Sequence, residues 1–197
     1  MRLILVRHGE TEGNVKRLIQ GHLHGKLTKK GREQAKKLAA YLKNEKIDVI
    51  YSSDMRRAKD TAKEIAKHHN APVIYTKEIR ERHYGKLEGK KGEEMMKIRI
   101  KSRKPRYLFR PDGGESFVDL TERADKFLKK IYKKHKGKNV LLVGHANFIK
   151  MLLGIALNSH VKYAIRRKLS NASVSIIEVG SKKKIHVINS TKHLWFV

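Results

Sequence analysis

The stretch LILVRHGETEGN, residues 3–14, runs four apolar residues directly into an arginine, a histidine and a glycine. A short apolar, β-rich run bounded in this way reads as a buried strand. Its abrupt end at Arg7-His8-Gly9-Glu10 puts a cation and an imidazole at the strand's carboxyl edge. In open α/β sheets, ligands bind beyond that edge. The same twelve residues therefore suggest both a fold class and a site.

The rest of the chain alternates in the same manner. Residues 27–45, LTKKGREQAKKLAAYLKNE, place Ala35, Leu38, Ala39 and Leu42 three and four apart, one apolar helical stripe with Thr28 as N-cap. IDVIYSS (47–53) reads as a strand, and 54–69 as a helix with Asp54 at its positive end. PVIYT (72–76) reads as a third strand. Residues 78–115 are irregular, rich in glycine and charge, and predict loops with a short helix. A long helix follows over 116–135, with Phe117, Leu120, Ala124, Phe127, Leu128 and Ile131 on one face and Ser116 as cap. NVLLVG (139–144) is continuously apolar, as a strand covered on both faces should be. A helix over 147–157 and strands over 172–180 and 184–189 complete the pattern. The expected fold is α/β: a single three-layer domain over 1–197, with a mostly parallel central sheet flanked by helices.

Composition narrows the classes. With 197 residues there is room for one domain with a sizeable core. No apolar stretch is long enough to span a bilayer. The N-terminal apolar run is too short for a signal peptide and no small-residue cleavage site follows it, so it is expected to be the first strand. The chain has no cysteine, hence no disulfide and no thiolate metal site, in keeping with a cytoplasmic location. Lys and Arg number 47 against 19 Asp and Glu, a formal charge of +28. That field concentrates anions: phosphorylated metabolites, polyphosphate or nucleic acid. No RNA-binding motif or aromatic stacking platform is present, so nucleic-acid binding would be salt-dependent charge attraction rather than specific recognition.

Chemistry-bearing residues follow three of the strands: Arg7-His8 after the first, Asp54-Met55-Arg56-Arg57 after the second, His145-Ala146-Asn147 after the fourth. Together they predict a cationic pocket for an anion. A guanidinium pairs with two phosphate oxygens at once. A neutral imidazole is a nucleophile when its second nitrogen is held, and a protonated one stabilises transferring oxygens. Gly9 permits close backbone approach. The leaving oxygen also needs an acid, and Glu81 or Glu10 can supply it. The remaining histidines, including His22, His24, His68, His69 and His83, form no metal-ligand pattern.

Six segments carry a resemblance. RHGETEGN (7–14) resembles R-H-G-E-T-x-x-N, and QGHLHGKLTKKGREQA (20–35) resembles Q-G…L-T-x-x-G-x-x-Q-A. YSSDMRRAKDTA (51–62) resembles S-S-D-x-x-R-A-x-x-T-A, and IRERHYGKLEGK (79–90) resembles L-R-E-x-x-x-G-x-x-E-G. PDGGESF (111–117) resembles P-G-G-E-S, and LLVGHANFIK (141–150) resembles V-x-H-G-x-x-I-R. In this order they are similar to the signatures of the histidine phosphatase superfamily, also called phosphoglycerate mutase-like.

The resemblance implies a metal-independent phosphatase, needing no cofactor, that hydrolyses a small phosphomonoester through a phosphohistidine on His8. Arg7, Arg57 and His145 would clamp the phosphoryl oxygens, and Glu81 would protonate the leaving group and then activate water. Asn14, Gln20, Gly21 and Ala146 would contact the phosphate or substrate, and phosphate or sulfate would occupy the empty pocket. Arg56 is expected to point elsewhere. Ala146 replaces the family's usual glycine, which matters only if the site needs positive φ. Asn147 and the ERHYG form of the acid segment resemble a bisphosphoglycerate-dependent mutase, which is the alternative. The short stretch between them, a substrate-capping insertion over 86–115, resembles the phosphatases and is weighed above the two identities. A homodimer is compatible with all of this.

Overall fold

The computed structural model describes residues 1–180 and 184–195. Six strands form one sheet in the order β3-β2-β4-β1-β5-β6. They are β1 (Arg2–Arg7), β2 (Val49–Ser53), β3 (Val73–Thr76), β4 (Asn139–Gly144), β5 (Val174–Glu178) and β6 (Lys184–Ser190). The first four are parallel, while β5 runs antiparallel to both β1 and β6. The mostly parallel α/β sheet expected from the sequence is the sheet observed. The helices are α1 (Glu12–Val15), α2 (Lys29–Leu42), α3 (Arg56–Ala66), α4 (Gly92–Lys101), α5 (Phe117–Lys134), α6 (Ala146–Ala156) and α7 (Val161–Ala164). Among the described residues no helix is long and apolar enough to cross a membrane.

The central strands bury both faces because successive side chains point to opposite sides. Leu3, Leu5, Val49, Tyr51, Val140 and Leu142 pack on α5 and α6, with Phe117, Phe127 and Phe148. Ile4, Val6, Ile50, Leu141 and Val143 pack on α2 and α3, with Leu38, Leu42 and Ile65. Each such side chain contributes about 1.5–3 kcal/mol when fully buried. The stripes of α2 and α5 predicted from spacing are the buried faces of those helices. Thr28 and Ser116 cap as expected, accepting from the backbone N–H of Gly31 and Asp119.

Two local expectations are corrected. Asp54 stands just before the N-cap of α3, but its hydrogen bonds go to Arg80 in a bidentate pair, with Nε–Oδ1 at 2.7 Å. That partner lies 26 residues away, beyond the reach of a local reading. The four-residue helices α1 and α7 also went unpredicted, being too short to show an apolar period.

Two glycines let α2 press against the loop that leaves β1. A Cβ on Gly31 would sit 2.0 Å from the Glu10 carbonyl oxygen, and one on Gly9 would sit 2.4 Å from the Gly31 carbonyl oxygen. Both obstacles are backbone and cannot swing aside. Gly31→Ala is therefore expected to cost about 1–3 kcal/mol, as overpacking does. For a chain of this size the melting temperature should fall by roughly 2–4 °C per kcal/mol. Thermal unfolding monitored by circular dichroism measures it, and an unchanged midpoint would show that the contact yields freely.

Candidate active site

Parallel pairing brings the three strand ends together. Arg7 lies opposite Gly144 in the β1–β4 ladder, and Ser52 opposite Val143 in the β2–β4 ladder. The next residues, His8, His145 and Ser53, thus meet at one sheet edge; His145 and Ser53 are fully buried there, behind the residues that line the cavity. The His8 N–H donates to the Gly144 carbonyl at 3.0 Å, and the two imidazole centroids are 5.3 Å apart. A cavity of about 420 Å³ opens here, lined among others by Arg7, His8, Arg57, Glu81 and Ala146.

The state of His8 follows from one contact. Its Nδ1 lies 2.7 Å from the Gly9 carbonyl oxygen. A carbonyl only accepts, so Nδ1 carries the proton and Nε2 keeps its lone pair. Burial, then Arg57 and Arg7, push the His8 pKa well below 6.5, with the bond to Gly9 opposing. The ring is neutral and Nε2 keeps its lone pair for a ligand. Asn171 holds the loop in place, donating from Nδ2 to the His8 and Gly9 carbonyls at 3.2 Å each.

The His145 ring is held neutral in the same way. Burial lowers its pKa well below 6.5, helped by Arg57, His8 and Arg7. Arg57 Nε–H donates to His145 Nδ1 at 3.3 Å, so Nε2 carries the proton and donates to Ser53 Oγ at 2.9 Å. Only an anion arriving between these cations would favour the protonated ring.

The arginines are anchored by backbone. Arg57 is 1% exposed and donates to the Gly21 and Leu23 carbonyls at 2.7 and 2.6 Å. Burial brings its pKa down to about 10, with Glu81 opposing. Arg7 donates from Nη1 to the Leu169 carbonyl at 2.7 Å, while its buried Nε has no hydrogen-bond partner among the described residues. Arg56 points outward to Asp60, as expected.

Glu81, not Glu10, faces the cavity. Its Oε2 accepts the Asn147 N–H at 3.3 Å, at the N-terminus of α6, and Oε1 accepts the Arg82 N–H at 2.8 Å. It forms no ion pair with Arg80 or Arg82. Arg80 is held by Asp54, and Arg82 lies against the rings of Tyr84 and Phe117. Glu10 turns away to Thr28 and Lys30 and does not line the cavity.

Asn14, Gln20 and Gly21 also line it. Asn14 Oδ1 accepts from Thr11 and from Asn171 Nδ2, leaving its own amide as the donor available. Gln20 Oε1 lies 2.9 Å from Thr11 Oγ1. Gly21 contributes a carbonyl to Arg57. Ala146 does not adopt positive φ, so its methyl group in place of the family's glycine costs no backbone strain.

Three residues received no role from the sequence, although Glu88 is the second glutamate of the quoted acid segment. Asn171 gave no local signal. Arg123, on the polar side of α5, pairs with Glu115 at 2.8 Å and donates to the carbonyls of Glu78, Arg80 and Glu81, bracing the acid segment. Glu88 joins that segment to the loop holding Arg57: its Oε1 accepts the His22 N–H at 2.9 Å and the Tyr84 N–H at 3.0 Å. His22 donates from Nε2 to the Glu81 carbonyl at 2.9 Å and stacks on His83. Gly21, at φ +45°, has no room for a Cβ, which would lie 2.0 Å from Glu88 Oε1. Among the described residues no cluster of three His, Asp or Glu side chains is placed to hold a metal ion.

A family model described as the histidine phosphatase superfamily (branch 1) matches residues 3–191. The chain is 39% identical over 193 residues to the metal-independent phosphoserine phosphatase of Arabidopsis thaliana, covering 93% of this chain and 78% of that one. It is 38% identical over 201 residues to phosphoglycerate mutase-like protein 4 of the same plant, covering 98% and 86%. The solved structure of YhfR from Bacillus stearothermophilus matches with a TM-score of 0.89 at 31% identity, over 98% of each chain.

Two outcomes are expected. In the free protein the His8 and His145 ring resonances should titrate below pH 6.5, because burial and two arginines repel the proton. Inorganic phosphate should raise the His145 midpoint. NMR titration of the imidazoles reads both, and midpoints at or above 6.5 without phosphate would contradict the electrostatics. Glu88→Ala should leave two N–H groups without their acceptor, at about 1–3 kcal/mol of stability. It should also loosen Arg57 and weaken phosphate binding, measurable by denaturation and calorimetry on the same sample.

Proposed function

Because the chain belongs to the histidine phosphatase superfamily, we propose that it hydrolyses a small phosphomonoester through a phosphohistidine formed on Nε2 of His8. The observation that carries this reading is the Nδ1–H bond of His8 to Gly9, which leaves Nε2 unprotonated in a cavity walled by buried arginines. Nε2 attacks phosphorus, forming the P–N bond as the P–O bond to the leaving group breaks. Glu81, beside the N-terminus of α6, gives the leaving oxygen its proton. It then takes a proton from water, whose oxygen attacks the phosphohistidine, releasing phosphate and restoring Nε2. Arg7, Arg57 and the amide of Asn14 hold the phosphoryl oxygens, and His145 joins them once the phosphate dianion makes its protonation favourable. Anion binding at the start of α6, near Ala146, adds the helix dipole.

Residues 86–115 act as a short cap. Within them α4 has no buried residue, and Leu87 and Phe109 pack with Ile19 and Tyr84 in a small separate cluster. So light a cover leaves the phosphoenzyme within reach of water, which favours hydrolysis over return of the phosphoryl to a product. The name of a phosphoserine phosphatase among the relatives agrees with that preference and with a small substrate. One contact keeps the mutase reading in view: Asn147 Nδ2 donates to the buried Tyr84 hydroxyl at 3.0 Å, joining the two segments that resemble mutases.

The test is phosphate release from a panel of sugar phosphates, phosphoglycerates, nucleotides and phosphoamino acids. His8→Ala should fold normally and lose activity by about 10³-fold or more, as removal of a nucleophile does. The wild type should yield an acid-labile phosphoenzyme that the variant does not. Full activity of the variant would end the proposal. Interconversion of phosphoglycerates that needs 2,3-bisphosphoglycerate and releases no phosphate would replace it with the mutase.

A further inference from the structure

A second cavity, of about 460 Å³, shares no lining residue with the first. One wall is α2, which presents Lys30, Gln34 and Lys37 at helical spacings of four and three. The opposite wall is Asn171 with Leu194 and Trp195, at the end of a last turn over Lys192–Leu194. Lys37 Nζ reaches the Leu194 carbonyl at 3.5 Å and ties the two walls together. Glu33, the one carboxylate of this lining, pairs with Lys36 at 3.2 Å. Trp195 is the single tryptophan of the chain and is 79% exposed. Its indole N–H reaches Thr191 Oγ1 at 3.4 Å, which orients the ring. An exposed indole beside two ammonium groups in a concave surface offers a flat anion both a ring to stack on and a counter-charge.

The same side chains hold the loop that carries His8. Gln34 Oε1 accepts the Glu10 N–H at 2.8 Å, and Lys30 pairs with the Glu10 carboxylate at 3.4 Å. Asn171 Nδ2 donates to the His8 and Gly9 carbonyls at 3.2 Å and to Asn14 Oδ1 at 3.0 Å. A ligand that draws on Lys30, Gln34 or Asn171 competes with these bonds. Occupancy here is therefore coupled to the position of the imidazole, and such coupling is reciprocal.

We propose that this cavity binds a mononucleotide, with its base stacked on Trp195 and its phosphate held by Lys30 and Lys37, and that the bound nucleotide shifts the loop carrying His8. The amides of Gln34 and Asn171 supply donors and acceptors for the base edge and the sugar. One indole suits one base, whereas a nucleic-acid strand needs successive rings. An aromatic carboxylate carries the same ring and charge in a smaller body, and the volume of the cavity favours the nucleotide. The site is separate from the phosphatase chemistry and stands or falls without it.

The probe is 3′,5′-cyclic AMP, a phosphodiester that a phosphomonoesterase leaves intact. Added to the wild type, it should quench Trp195 fluorescence to saturation and move the His8 ring resonances in NMR spectra with the same midpoint. Adenosine keeps the ring without the charge, and ethylphosphonate keeps the charge without the ring. Each should bind at least tenfold more weakly. The double variant Lys30→Met, Lys37→Met should raise both midpoints at least tenfold. Trp195→Ala, which removes an exposed ring, should weaken binding severalfold by calorimetry and keeps the test open should the double variant fold poorly. Absence of any quench at millimolar nucleotide would overturn the site, as would affinities unchanged in both variants. A His8 midpoint that differs from the Trp195 midpoint would place the nucleotide in the first cavity and overturn the coupling. Phenylacetate binding as tightly as cyclic AMP would overturn the nucleotide as occupant. No readout involves phosphate release, so failure here leaves the phosphatase reading intact.

Discussion

Parallel pairing of β1 with β4 and of β4 with β2 is the constraint from which the site follows. The ladder places Arg7 opposite Gly144, so the chain must deliver His8 and His145 to neighbouring points on the same sheet edge. A register slip of one residue would turn Leu3 and Leu5 toward the helices that now cover Ile4 and Val6. It would also move the imidazole away from the crevice. The apolar packing that stabilises the sheet and the geometry that assembles the pocket are one specification. No residue at the site has to be positioned against the preference of its strand.

Burying so much positive charge carries a cost, and the structure meets it in two ways. Arg57, though almost fully enclosed, spends its donors on two loop carbonyls and a histidine, so the charge is solvated by backbone dipoles. The two imidazoles stay neutral, which removes two further charges from the cluster. The result is a pocket preorganised for an anion, in which donors are fixed before the ligand arrives. Among the described residues Glu81 is the one carboxylate lining it, and its oxygens accept from backbone N–H groups.

Much of this was legible without coordinates. The continuous apolar runs of β1 and β4, the apolar stripes of α2 and α5, and the caps at Thr28 and Ser116 are local patterns, and local physics decides them. The convergence of Arg7, His8, Arg57 and His145 was legible too, because each follows a strand whose direction is set by the α/β alternation. Asp54 misled because a carboxylate at a helix start is a good local arrangement, yet Arg80 offered a better, distant partner. Asn171 and Arg123 had no local signature, and Glu88 stood in a quoted segment without a role; what all three hold is backbone from other segments.

The sequence by itself determined which of the longer elements form, the face each buries, and which side chains reach the carboxyl edge of the sheet, since these follow from periodicity and strand direction. Only the tertiary structure decided the proton positions on His8 and His145 and the backbone groups that hold Glu81 and Arg57. Those depend on distances between segments as much as 163 residues apart, as between His8 and Asn171, and on how much water remains between them. Both are products of packing, which no single stretch of chain encodes.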